Sequence, residues 1–160
     1  MKMKIGLAAL VTALLLLPGI AQADELPMKA EAPITLTSPS AILCEASTGQ
    51  VIFEKNADER RPVASVNKVM TILLTLEAVD EGRVSLEDQV TVSPRAASMG
   101  GSQAFLDAGE RYKLSELLKT VIVASANDSA VALAEHLAGT EESFVRLMNT
   151  RAEELGLTNT

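Results

Sequence analysis

Two short stretches of the chain carry residue types at spacings that permit chemistry: Ser65-Val66-Asn67-Lys68 and Ser125-Ala126-Asn127. A serine hydroxyl becomes a nucleophile only when a base takes its proton. A lysine three residues on lies on the same face of a helix and can act as that base in its neutral form, which burial favours. At a helix N-terminus the free N–H groups and the macrodipole also favour negative charge developing near Ser65. The bland alternative is a helix cap at Ser65 followed by a solvated lysine. Against it stands Val69-Met70-Thr71-Ile72-Leu73-Leu74, an apolar continuation rather than a charged face. Ser125-Ala126-Asn127 falls at a break between two apolar helical runs, where Asn127 or Asp128 can cap the second helix. In a cleft, Ser125 can also pass a proton between Lys68 and a leaving group, and Asn127 can hydrogen-bond a substrate amide.

These residues need elements to position them, and the pattern supplies several. Ala41–Ala46 and Gln50–Glu54 read as strands joined by the Ser47-Thr48-Gly49 turn, a β-hairpin. From about Ser65 to Gly82 the apolar residues recur at helical spacing with few polar breaks, so this helix is expected to be central and buried. Gln89–Val92 and Ala104–Leu106 read as short strands. Three helices follow, over 114–124, 128–137 and 141–155, the last two closed by Gly139 and Gly156. A hairpin followed mostly by helices predicts an α+β fold.

The remaining features bound the function. The chain has 160 residues, 48% of them hydrophobic and 2% aromatic, with a net charge of −7. That balance suits a packed aliphatic core and excludes a basic or base-stacking surface for nucleic acid. Lys2 and Lys4, the apolar run to Leu17, Pro18-Gly19 and Ala21-Gln22-Ala23 have the layout of a secretory signal peptide over residues 1–23, and the polar, proline-bearing residues 24–39 read as a linker. The apolar run is shorter than the ~20 residues that span a bilayer. A lone cysteine, Cys44, forms no internal disulfide and reads as a buried core thiol. With His136 as the only histidine there is neither a metal-ligand pattern nor a Ser-His-Asp triad, and His136 reads as structural. Glu141-Glu142 and Glu153-Glu154 read as solvated faces, and Gly100-Gly101 lacks the continuation of a phosphate loop.

Taken together, Pro62–Thr71 with Ser65 and Lys68, and Ser125-Ala126-Asn127, resemble the D-alanyl-D-alanine carboxypeptidases, the low-molecular-mass penicillin-binding proteins. Glu45–Val51, Gly100–Ser102, Gly109-Glu110 and Ala132–Glu135 resemble further segments of that family. The resemblance implies a penicillin-binding-protein/β-lactamase-like transpeptidase fold, here its N-terminal hairpin and largely helical part. It implies Ser65 as nucleophile, Lys68 as general base, Ser125 as proton relay and Asn127 as substrate-binding residue, with no cofactor or metal. It further implies a peptidoglycan stem peptide as substrate, β-lactams as acylating inhibitors, and export to the extracytoplasmic face of the bacterial cell membrane or to the periplasm. Two departures stand out. Asn67 occupies a position where the family usually has Thr, and the family's third motif, K-T-G, is missing, since Lys119-Thr120-Val121 lacks the glycine and lies in a helical run. Residues 40–160 are therefore expected to be a partial domain, ending before K-T-G and before any membrane-anchoring C-terminal region, with little activity alone. A serine β-lactamase and a catalytically silent peptidoglycan-binding remnant are the alternatives.

Overall fold

The computed structural model describes residues 35–160, in two compact units divided after Ala57. The expected signal peptide and most of the linker lie outside the described residues.

In the first unit, β1 (Ala41–Cys44) pairs antiparallel with β2 (Val51–Lys55), with a bulge between Leu43 and Cys44. The hairpin is the expected one, and its turn is organised by a single carboxylate. Glu45 Oε2 accepts from Ser47 N (3.0 Å), Ser47 Oγ (2.8 Å), Thr48 N (2.7 Å) and Thr48 Oγ1 (2.7 Å). Gly49 closes the turn at φ 73°, the left-handed region where a Cβ is costly. The Thr48 and Ser47 donors hold the Glu45 carboxyl down to about 2 from an ordinary 4.5. A depressed carboxyl contributes its stabilisation above its unfolded value and loses it as pH falls through its folded one. The turn is therefore expected to be fully ordered above pH 4.5 and to loosen toward pH 2, read as loss of amide protection at Ser47 and Thr48, with Glu45→Gln loosened at every pH. The end of the expected linker is tied to the hairpin rather than free: Lys55 Nζ donates to Leu36 O and Ser38 O at 2.8 Å each. Cys44 is exposed, not a core thiol. Its strand belongs to a two-stranded ribbon whose residues are largely exposed, so among the described residues of this unit the alternation that suggested burial has no second layer to face.

The second unit is mostly helical. A 3₁₀ turn (Ala64–Asn67) leads into α1 (Lys68–Asp80), followed by β3 (Gln89–Thr91), α2 (Pro94–Ala97), β4 (Arg111–Lys113), α3 (Leu114–Ala124), α4 (Asn127–Ala138) and α5 (Glu141–Glu154). β3 and β4 pair antiparallel, with Val90 opposite Tyr112. α3 occupies the residues its periodicity predicts: Leu114, Leu117, Leu118 and Val121 form its buried stripe. They pack with Val90, Val92, Ala96, Leu106, Val131, Ala132 and Leu133 in the main core. A second cluster joins Leu74 of α1, Ala134 of α4 and Phe144 of α5.

Two expectations are corrected here, and one unforeseen element is added. The central helix is α4, which packs against α1, α2, α3, α5 and β3. α1 buries only Thr71, Leu74, Thr75 and Ala78, while Val66, just before it, and Val69 are 67% and 64% exposed. Its all-round apolar composition thus spreads over two faces, of which the smaller-residue face is the packed one. Ala104–Leu106 is not a strand. Its Ala104 and Leu106 N–H groups donate to the Asp128 carboxylate, and Phe105 has φ 60°, so neither the ladder bonds nor the extended backbone of a strand is present. The partner of β3 is instead the charged segment β4. Finally, α2 escapes a periodicity argument because it is a single turn, although Ser93-Pro94 signals it: Ser93 Oγ accepts from Ala96 N at 2.9 Å and Pro94 occupies the first turn.

Candidate active site

The site is built by two backbone irregularities. The first is the 3₁₀ turn before α1, entered at Ala64 with φ 48°. Three residues per 3₁₀ turn bring positions i and i+3 into line, so Ser65 and Lys68 project together. Ser65 thus sits in the turn that leads into α1, and Lys68 is the first residue of the α-helix. The second is the α3–α4 junction. Ser125 caps α3 in the left-handed region (φ 54°, ψ 37°), a conformation uncommon for a non-glycine and found where a side chain is being aimed. Its N–H and that of Ala126 both bond Thr120 O, while Thr120 Oγ1 donates to Ser129 Oγ at 2.7 Å, so the kink is stitched from both sides.

Lys68 Nζ is where the two irregularities meet. It donates to Ser65 Oγ (3.1 Å), Ser125 Oγ (3.3 Å) and Asn127 Oδ1 (2.6 Å). An ammonium has three N–H bonds, and here each has an oxygen. All four side chains singled out from the sequence are therefore gathered around one nitrogen, although Ser65 and Asn127 lie on separate helical segments. Asn127 is further fixed by Nδ2 donating to Gly100 O and by its N–H donating to Ser102 O, both 2.7 Å.

A cavity of about 440 Å³ opens beside this cluster. Its lining combines polar Ser65, Asn67, Lys68, Thr71, Asn127 and Glu141 with apolar Ala64, Met99, Ala130, Val131, Ala134, Phe144, Val145 and Met148. A cavity that joins a few convergent polar groups to apolar side chains is the usual form of a small-molecule site. Glu141 corrects the reading of Glu141-Glu142 as a solvated face: it lines the cavity and is held by Arg95, whose Nε donates to Oε2 at 2.9 Å. Glu153-Glu154 does not contribute to the cavity, and Glu154 pairs with Arg151 at 3.0 Å. His136 is likewise not part of it; its Nε2 lies 4.0 Å from Asp88. Among the described residues no cluster of histidine, cysteine or carboxylate side chains is arranged to hold a metal.

Gly100 and Gly101 are part of the site for a reason the sequence only hints at. Gly101 has φ 79°, and a Cβ there would lie 2.9 Å from Asn127 Nδ2. Alanine at 101 thus combines backbone strain of about 1 kcal/mol with displacement of an amide pinned at both ends. We expect Gly101→Ala to lower the melting temperature by a few degrees and to shift the Asn127 side-chain NMR signals. Gly100→Ala, where a Cβ meets nothing within 4 Å, should do neither.

The sequence and the fold both have known relatives. The family model for D-alanyl-D-alanine carboxypeptidases (peptidase S11) matches residues 27–160. The chain belongs to that family. It is 51% identical over 121 residues to the D-alanyl-D-alanine carboxypeptidase DacF of Bacillus subtilis, covering 76% of this chain and 31% of that one. It is 40% identical over 137 residues to DacC of Escherichia coli, covering 79% and 34%. Among solved structures it resembles the D-alanyl-D-alanine carboxypeptidase DacD from Francisella tularensis, with a TM-score of 0.78 and 36% identity over 81% of this chain and 31% of the other. It also resembles penicillin binding protein 5 from Haemophilus influenzae, with a TM-score of 0.77 and 33% identity over 81% and 38%. The fold is thus that of the penicillin-binding D,D-peptidases, and the chain spans about a third of the length of these curated relatives.

Proposed function

We propose that the chain carries the nucleophile, base and relay of a serine D-Ala-D-Ala carboxypeptidase that acts on peptidoglycan stem peptides outside the cytoplasm. One observation carries this reading: Lys68 Nζ stands within hydrogen-bonding distance of Ser65 Oγ, Ser125 Oγ and Asn127 Oδ1 at once. With Lys68 neutral, the Ser65 hydroxyl donates to it instead of accepting. Oγ attacks the carbonyl between the two terminal D-alanines, and its proton passes to Nζ. When the C–N bond breaks, the departing amine takes a proton from Lys68 by way of Ser125. Water then adds to the ester, its proton returning to Ser65 through the same amine, and the shortened peptide leaves. Asn127 orients the substrate through the Nδ2 hydrogen that Gly100 does not use. A β-lactam acylates Ser65 by the same route, its amide bond opening without a departing fragment. Residues 1–23 serve as the export signal and 40–160 as the catalytic part in this reading.

The test joins residues 27–160 to the downstream portion of the Bacillus subtilis relative and assays the chimera with a D-Ala-D-Ala peptide and a fluorescent penicillin. The expected result is release of D-alanine and a stable label on the peptide containing Ser65, both lost in Ser65→Ala. Rapid nitrocefin clearance without a lasting label would favour a β-lactamase. Absence of any label on a folded chimera would favour a binding role and overturn the proposal.

A further inference from the structure

Asp128 is 1% exposed, a carboxylate in the core that pairs with no cation among the described residues. Its partners are backbone amides: Ala104 N at 3.0 Å from both oxygens, Leu106 N at 3.2 Å and Ser129 N at 2.8 Å. Burial acts to raise its pKa, yet these N–H groups outweigh burial and hold it below the ordinary value, so the group is charged in the core. Its place in the first turn of α4 adds a favourable helix dipole. An ionised side chain is an expensive way to anchor a surface loop unless the loop must be held in one place.

The loop in question runs from Gly100 to Leu106, and it is tied to the first two residues of α4 at both ends. Asn127 holds its start through Gly100 O and Ser102 O; Asp128 holds its end through Ala104 N and Leu106 N. The ties leave Phe105 in the left-handed region at φ 60° with 81% of its surface exposed, a strained and poorly buried arrangement that the loop does not adopt for its own packing. Because Gly100 O is what Asn127 Nδ2 binds, the position of the loop decides where the Asn127 amide points, and Asn127 Oδ1 is one of the three oxygens around Lys68 Nζ.

We infer that Asp128 is a positioning residue for the active site: its buried carboxylate fixes the 100–106 loop, and the loop in turn holds Asn127 in the orientation that receives Lys68. The inference deepens the reading of Asn127 as part of the site, and its test measures geometry rather than activity, so that it can fail or succeed independently of that reading.

Asp128→Asn keeps the shape of the side chain while replacing one acceptor oxygen by a donor facing N–H groups. In NMR of the 160-residue chain, exchange of the Ala104 and Leu106 amides is expected to quicken by tenfold or more, and the Asn127 side-chain signals to shift and broaden. Amides in α3 and α5 should keep their protection. A merely structural aspartate would quicken exchange throughout and leave the Asn127 side chain where it was; that result, or unmoved Asn127 signals beside unprotected Ala104 and Leu106, would overturn the inference. Where the variant does not fold, native-state exchange of the wild-type chain decides. The backbone amides of Ala104, Leu106 and Asn127 should open as one unit, with protection matching within about threefold and lower than that of the core helices. Opening of Asn127 independently of the other two refutes the coupling.

Discussion

Lys68→Met in the chimera described above should slow acylation of Ser65 by a penicillin by about 10²–10⁴-fold, the span a positioned general base contributes. The argument rests on Nζ rather than on charge. Methionine retains most of the apolar stem but offers no atom that takes a proton from Ser65 Oγ, 3.1 Å away. Lys68→Arg separates the two roles, since a guanidinium keeps the positive charge and the donors but does not lose its proton. It should be as slow as the methionine variant while preserving more of the Asn127 and Ser125 contacts. Circular dichroism should show both variants folded, because Lys68 lies at the start of α1 and is not part of either hydrophobic cluster. Acylation of Lys68→Arg at the wild-type rate would remove this lysine from the mechanism.

Phe144→Ala carries the largest expected effect on stability. The ring is 2% exposed and packs with Leu74 and Ala134, with Met70, Leu137, Leu147 and Met148 around it. Truncating a buried phenylalanine costs about 3–5 kcal/mol, part from lost burial and part from the void left behind. Against a total stability of about 5–15 kcal/mol, that is enough to leave the chain marginal at room temperature. The melting temperature should fall by about 10 °C or more. Phe144→Leu keeps much of the apolar volume and should cost less. Phe144 also lines the cavity beside Ser65 and Lys68, so the void is expected to merge with that chamber. A small apolar molecule that binds the alanine variant and partly restores its melting temperature would show this; an undiminished melting temperature would show that α5 is not needed to hold α1 and α4 together.

What was legible in the sequence follows from which forces are local. The α3 stripe of Leu114, Leu117, Leu118 and Val121 is a periodic pattern, and the helix lies where the pattern puts it. The hairpin announces itself through Ser47-Thr48-Gly49, and Glu45 supplies the acceptor that such a turn needs. Ser65 and Lys68 are legible as a pair because three residues of separation suffice to align them. Their meeting with Ser125 and Asn127 is a tertiary fact, visible in the sequence only through likeness to a family. The errors arise where tertiary surroundings, which a local pattern does not record, decide the outcome. Ala104-Phe105-Leu106 has strand-like composition, but a carboxylate from α4 claims its amides. Cys44 alternates like a core residue, but its ribbon is largely exposed. The helix from Lys68 is apolar on every side, and composition alone does not say which side the other helices choose. Glu141 is an ordinary surface glutamate by sequence; in the fold it pairs with Arg95 and lines the cavity.

The amide of Asn127 faces opposite demands at its two ends: its oxygen meets a cationic donor and its nitrogen meets a carbonyl. The head-to-tail sense of the group is therefore set, since turning it over would put like against like at both ends. No residue with two equivalent terminal atoms can meet both demands. An aspartate would press oxygen against the Gly100 carbonyl, and a leucine would leave both neighbours without a partner. Of the side chains that match its length, only one with unlike ends fits this position.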